Sequence, residues 1–296
     1  MSEAAVSDRR ILVGYTADDS GADALALGAR IAVASEALLE VVMVLPIEAR
    51  GGVVPRDPAY ERHVKERSQG WLAEASAVIG EAPQSLHIRY AESFAAGLVE
   101  AAHEFDASLI VVGTARGGLF GRTRLGSVGE ELLHSSDVPV ALAPAGSREV
   151  ALSQGVSRIT AAVGGTPGVV LEASVALAAA VHAPLRLLSL VPVDLPAGVD
   201  TGLVDLTSAA GAQRALDEAR ATLPAGVEAT ATIATGDTIE ASVKALDWHA
   251  GELVVVGSSR LAAPARLFLG STASKMLREL PVPLIVVPRT TRKTER

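Results

Sequence analysis

The sequence predicts an α/β fold made twice in tandem, each copy an open five-stranded parallel sheet flanked by helices. Short apolar runs alternate with longer helix-favouring segments along the whole chain, the pattern of βα units joined by right-handed crossovers. The second half also repeats the first. Ser108-Leu-Ile-Val-Val-Gly-Thr-Ala-Arg116 matches Glu252-Leu-Val-Val-Val-Gly-Ser-Ser-Arg260. Leu125-Gly126-Ser127 matches Leu269-Gly270-Ser271, and Val138-Pro-Val-Ala-Leu-Ala-Pro144 matches Val282-Pro-Leu-Ile-Val-Val-Pro288, all at an offset of 144 residues. A repeat of that length is a whole domain, and 296 residues accommodate two. The expected bounds are 8–145 and 156–290, with a polar, glycine-containing linker from Ala145 to Ser157.

In the first copy, Ile11-Leu-Val-Gly-Tyr15 is a short apolar run and reads as a buried strand. Thr16 to Gly21 reads as loop and the Ala/Leu-rich stretch Ala22 to Ser35 as helix. Leu39 to Leu45 is the second strand, followed by a Gly/Pro-rich loop. Ala59 to Ile79 is a long amphipathic helix, Leu86 to Tyr90 a strand, Phe94 to Glu104 a helix and Leu109 to Val112 a strand. Ser127 to His134 and Val138 to Ala143 close the copy. The second copy repeats the order: strand Ile159 to Val163, helix Leu171 to His182, strand Leu185 to Val191, helix Ala209 to Thr222 and strand Glu228 to Ile233. Helix Ile239 to Trp248, strand Leu253 to Val256, helix Ser271 to Leu280 and strand Leu284 to Val287 follow. The fifth strand of each copy is apolar and begins at Val-Pro, which suits a sheet edge. An apolar edge needs covering, and the matching edge of the other copy is the simplest cover, making an intramolecular pseudo-dimer. The charged tail from Thr290 is expected to be disordered.

Composition removes several function classes. A net charge of −8 argues against nucleic-acid binding, which needs basic surface. The absence of cysteine removes disulfides and thiol catalysis. No run is apolar enough to span a bilayer and the first ten residues have no export core, so the chain reads as cytoplasmic with no membrane partner. Six histidines, at 63, 87, 103, 134, 182 and 249, form no metal-ligand spacing. No Gly-x-Ser-x-Gly elbow occurs, and no residue set suggests substrate turnover, so the chain reads as a non-enzyme. Trp71 and Trp248 read as packing residues.

The sharpest signal is the spacing from Gly113 to Gly126-Ser127 and from Gly257 to Gly270-Ser271, thirteen residues in each copy. A strand ends at a glycine that admits a ligand to the backbone. The loop returns, and Gly-Ser opens a helix whose free N–H groups and dipole face an anion. The carboxyl ends of central strands are where α/β sheets bind ligands. Together with Ile11-Leu-Val-Gly-Tyr, Ala91-Glu-Ser-Phe-Ala and Thr235-Gly-Asp-Thr-Ile, these residues resemble the universal stress protein family over nearly the whole chain, twice. The resemblance implies an adenine nucleotide alpha hydrolase-like sheet of strand order 3-2-1-4-5, pairing through strand five, and roles in stress survival. It also implies ATP or another adenine nucleotide as ligand. The positions it marks are Thr16, Val44, Gly113, Arg116, Gly117, Gly126, Ser127 and Val128 in copy one. In copy two they are Gly164, Gly257, Arg260, Gly270, Ser271 and Thr272.

The motif is degenerate. In ATP-binding members an aspartate closes strand one and contacts the adenosine; here the position holds Thr16 or Gly164. The motif's second glycine falls on Arg116 and Arg260, whose side chains prevent a bare backbone approach. Each arginine either grips an anion, or is a solvated loop residue or pairs with a carboxylate. Gly117-Gly118 keeps some cradle in copy one, whereas copy two has Leu261-Ala-Ala-Pro264. Ser127-Val-Gly-Glu130 reads as a capping box that would compete with an incoming phosphate, and Ser271-Thr-Ala-Ser274 lacks the glutamate. Gly164-Gly-Thr-Pro-Gly168 reads as a tight strand-to-helix turn rather than a phosphate loop. Asp18-Asp19 reads as a helix cap in preference to a Mg²⁺ site, and magnesium is not expected without a nucleotide. The resemblance therefore implies a stress-response regulatory module, and the glycine loops point to a nucleotide or other anion as its ligand. The alternative is an interaction protein with decayed sites, whose unknown protein partner meets loops such as Arg50 to Ala59 and Pro192 to Gly211. A homodimer is compatible with either.

Overall fold

The computed structural model describes residues 9–47, 58–116, 123–164, 168–192, 201–259 and 267–288. Copy one runs β1 (Arg10–Gly14), α1 (Asp19–Ala34), β2 (Leu38–Pro46), α2 (Pro58–Ile79), β3 (Gln84–Ala91), α3 (Phe94–Glu104), β4 (Leu109–Gly113), α4 (Ser127–Ser135) and β5 (Val140–Ala143). Copy two runs β6 (Arg158–Ala162), α5 (Gly168–Ala180), β7 (Leu185–Pro192), α6 (Thr201–Ala221), β8 (Ala229–Gly236), α7 (Ile239–Lys244), β9 (Glu252–Gly257), α8 (Ser271–Glu279) and β10 (Leu284–Val287). Between β4 and α4, Ala115–Arg116 pairs with Thr123–Arg124 as a small antiparallel ribbon.

The ten main strands form one continuous sheet in the order β8-β7-β6-β9-β10-β5-β4-β1-β2-β3. Every neighbouring pair is parallel except β10 with β5, which run antiparallel with Ile285 opposite Ala141. Each half therefore has the order 3-2-1-4-5, and the halves meet at strand five. Val140, Ala141, Leu142, Leu284, Ile285 and Val286 are 2% exposed or less there. Hiding a Val, Leu or Ile contributes roughly 1.5–3 kcal/mol. That gain, with the shared ladder, explains why two apolar edges cover each other.

Period-two alternation sends side chains to two cores, and each core runs through both copies. Ile11, Val13, Leu39 and Val41 join Ile159, Leu187, Leu253 and Val255 on one face. Leu12, Val42, Ile110 and Leu142 join Leu188, Val254, Leu284 and Val286 on the other. The linker folds into two short 3₁₀ turns, Ser147–Glu149 and Leu152–Gln154. It is pinned to α1 by the buried Asp23, whose carboxylate accepts from the amides of Gly146 and Arg148 at 3.0–3.2 Å.

Several boundaries differ from the sequence reading. α1 begins at Asp19, three residues before the expected Ala22, because Asp18 caps it by accepting from the Gly21 amide at 2.8 Å. α6 begins at Thr201, inside the expected loop from Pro192 to Gly211. α7 stops at Lys244, well short of Trp248. Past Lys244 the chain turns so that the Trp248 indole donates to the Val243 carbonyl at 2.9 Å and Arg186 stacks on the ring at 4.8 Å. The tail from Thr290 and the loop from Arg50 to Pro58 fall outside the described residues, apart from Pro58 at the start of α2.

Candidate functional site

The two copies present different surfaces at the equivalent place. In copy two, a cleft of about 1260 Å³ opens at the carboxyl ends of β6 and β9. Those strands are where the strand order reverses, the position at which open α/β sheets take ligands. Gly164 follows β6 at one wall, and Leu188 and Leu190 of β7 with Ile239 and Met276 supply apolar surface. Gly257, Ser258 and Ser259 leave β9 along the opposite wall, and Gly270, Ser271 and Thr272 open α8 beside them. α6 crosses the cleft with Arg214 and Glu218.

The anion-facing elements are built from backbone. Gly270 is the N-cap of α8, with extended φ/ψ of −66° and 164° and no side-chain cap. The first amides of α8 therefore lack the hydroxyl or carboxylate acceptor that a Ser or Asp cap would give them. At Gly257 a Cβ would come within 2.9 Å of the Val170 side chain, so the backbone is approached closely there. The loop leaving β9 is clamped at its ends. Ser259 N donates to Phe268 O at 2.8 Å, and Phe268 N donates to Ser258 Oγ at 2.7 Å. The same loop is tied to the other copy. Leu267 N donates to Ser136 O at 3.0 Å, and the Phe268 ring meets His134 edge-on at 5.1 Å.

In copy one the first turn of α1 lies on the glycine. A Cβ at Gly113 would fall 2.0 Å from Ser20 O and 2.4 Å from Ser20 Oγ. Both α1 and α5 are followed by a left-handed residue, Glu36 at φ 53° and His182 at φ 54°. Between strand one and that residue, copy one has two more residues than copy two, counted from Thr16 and Gly164. The extra length carries α1 over β4. Thr16 Oγ1 donates to Asp18 Oδ1 at 2.8 Å, and Asp19 pairs with Arg148 at 2.7 Å. What remains is a hollow of about 250 Å³ bordered by Asp18, Asp19, Asp23, Thr114 and Arg148. The nearby Tyr15 hydroxyl is pushed above its ordinary range, by burial first and then by Glu74 and Asp18.

The structure thus brings Gly164, Gly257, Gly270, Ser271 and Thr272 to one cleft. In copy one Val44 is buried against α3, Gly113 is covered, Gly126 is the N-cap of α4 with no side-chain cap (as Gly270 is of α8), Ser127 is exposed and Val128 is half-buried. Arg116 lies in the small ribbon, and Gly117 and Arg260 fall outside the described residues. The capping box is corrected. Ser127 is the first residue of α4 rather than its cap, so its hydroxyl is past the position from which it could serve the third amide. Sequence reasoning missed Leu190, the counterpart of Val44 by strand register, and the whole contribution of α6.

A family model described as the universal stress protein family matches residues 8–144 and again 156–288. The chain belongs to the universal stress protein family. Universal stress protein Rv2319c of Mycobacterium tuberculosis is 27% identical over 295 residues, covering 94% of this chain and 99% of the relative. Among solved structures, a universal stress protein from Archaeoglobus fulgidus superposes with a TM-score of 0.60 at 18% identity, covering 95% of this chain and 97% of its own. A Pseudomonas aeruginosa protein of unknown function does so at 0.59 and 19%, covering 97% and 95%. These two share the fold with this universal stress protein. No helix among the described residues is long and apolar enough to cross a membrane.

Proposed function

We propose that this universal stress protein binds one adenine nucleotide per chain, in copy two, and acts as a regulatory module rather than an enzyme. The observation that carries this is the pairing of an open cleft over Gly257 with an uncapped α8 start at Gly270, against the covered Gly113 of copy one. Copy two fits the group: backbone amides for a phosphate and an apolar wall for a base. Copy one does not, because Ser20 and the carboxylates of Asp18, Asp19 and Asp23 occupy and surround the equivalent place. Magnesium would arrive with the nucleotide, since Glu218 is the only carboxylate among the described cleft residues. The copies act as units spanning 8–145 and 156–290, in the cytoplasm, and a protein partner reads the state of the cleft.

The test is calorimetric titration with ATP, ADP, AMP and cyclic AMP. One equivalent is expected to bind. Gly270→Asp should abolish it while leaving the melting temperature equal or higher. Aspartate is a favoured N-cap, and its charge repels the anion. Gly126→Asp should leave binding intact. No heat with any nucleotide, or two equivalents, would refute this reading. The first of those results would favour the alternative of an interaction protein, to which the closed copy one already lends itself.

A further inference from the structure

The described lining of the copy-two cleft is apolar side chains, backbone and the hydroxyls of Ser258, Ser259, Ser271 and Thr272, with charge only on α6. Among its described lining residues Arg214 and Glu218 are the charged side chains, and both are exposed. They are four residues apart, so they share one face of α6 and project as neighbours. They are nevertheless not paired with each other. Arg214 Nε donates to the Ala210 carbonyl of its own helix at 3.2 Å, and the Glu218 carboxylate has no hydrogen bond or ion pair among the described residues. At the end of β6 this chain has Gly164, which offers no carboxylate to the cleft.

We propose that Glu218 reads the vicinal hydroxyls of a ribonucleotide in this cleft, with Arg214 as the cation that lets a carboxylate sit there beside an anionic ligand. The inference rests on nucleotide binding in copy two. A carboxylate has two acceptor oxygens and no proton to donate, so it matches two adjacent O–H donors and loses one of two hydrogen bonds with a sugar that lacks either hydroxyl. The rest of the cleft supplies amides for phosphate and apolar surface for a base, and no other described side chain there is an ionised acceptor. Without Arg214, Glu218 would repel the phosphates; one turn away, the guanidinium offsets that charge.

The experiment is titration of the full-length protein with ATP, 2′-deoxyATP and 3′-deoxyATP. The parent should prefer ATP over either deoxy form by about tenfold or more, the worth of a hydrogen bond to a charged group. Glu218→Gln should bring that ratio close to one through weaker ATP binding, with the deoxy affinities little changed. Arg214→Gln should weaken all three ligands alike and leave the ratio in place. Glu218 is exposed on α6, so a merely structural effect would not alter the ratio between ligands. Binding without discrimination, or discrimination that survives Glu218→Gln, overturns this proposal alone. No binding of any of the three overturns it together with the nucleotide reading.

Discussion

Glu252 and Arg30 are both buried charges, and they should respond to mutation in opposite ways. Glu252 is fully buried at the start of β9 and accepts from Arg158 at 2.6 Å, from Arg186 at 2.7 Å and from the hydroxyl of Thr160. Burial pulls the Arg186 guanidinium below its ordinary range, and Glu252 pulls it back up. Removing one partner of such a cluster leaves uncompensated charge, so Glu252→Gln is expected to cost about 3–5 kcal/mol in urea unfolding. Arg30 has no carboxylate partner among the described residues. It is fully buried on α1, with Nη1 at 3.4 Å from the carbonyls of Ser147 and Val150, and its Nε and Nη2 have no partner among the described residues. Burial alone lowers its pKa. Arg30→Met keeps the volume and removes the stranded donors, so the same unfolding measurement should show no loss beyond about 1 kcal/mol, and a gain is allowed. A loss of several kcal/mol would show that the two long hydrogen bonds to the linker matter more than the desolvation they offset. Neither cluster was legible in the sequence, because Arg158, Arg186 and Glu252 are far apart in the chain and meet only through sheet register.

At the scale of elements, strands were easier to read than helix ends. Strands that are buried on both faces announce themselves as apolar runs, whereas their order came from the family resemblance and their junction from the apolar fifth strands. Helix ends depend on local competition that spacing does not show. Asp18 extended α1 by capping it, and that extension covers Gly113. The two-residue surplus of copy one was countable, but its meaning depended on where α1 would lie. α6 left no motif at all, since its path over the cleft is fixed by packing on β7. The loop from β9 to α8 carries a prediction of its own. Its return end rests on α4 of copy one through His134 and Ser136. An aromatic edge contact of that kind contributes about 0.5–1.5 kcal/mol. His134→Ala should therefore weaken nucleotide binding in copy two by roughly fivefold without abolishing it. Unchanged affinity would show that the loop is held from its own side by Ser258 and Ser259.

At the scale of the whole molecule, both hydrophobic cores pass through the β5–β10 junction without a break. Two domains with separate cores would melt separately. This arrangement predicts a single calorimetric transition whose van't Hoff and calorimetric enthalpies agree. Two resolved transitions would show that the junction is a docking surface rather than a shared interior. The tandem repeat itself was the most legible property of the chain, because a constant offset needs no physical model to detect. The loss of symmetry was not legible, because it arises from one turn of helix.

The antiparallel junction has a final consequence. It points the strands of the two copies in opposite directions, so the covered mouth and the open one lie on opposite rims of the sheet. In an assembly of two identical chains, any change to one mouth is a change to both. Joining the copies covalently lifts that restriction: one rim can be given over to rigidity and the other to responsiveness, and the particle acquires a head and a tail.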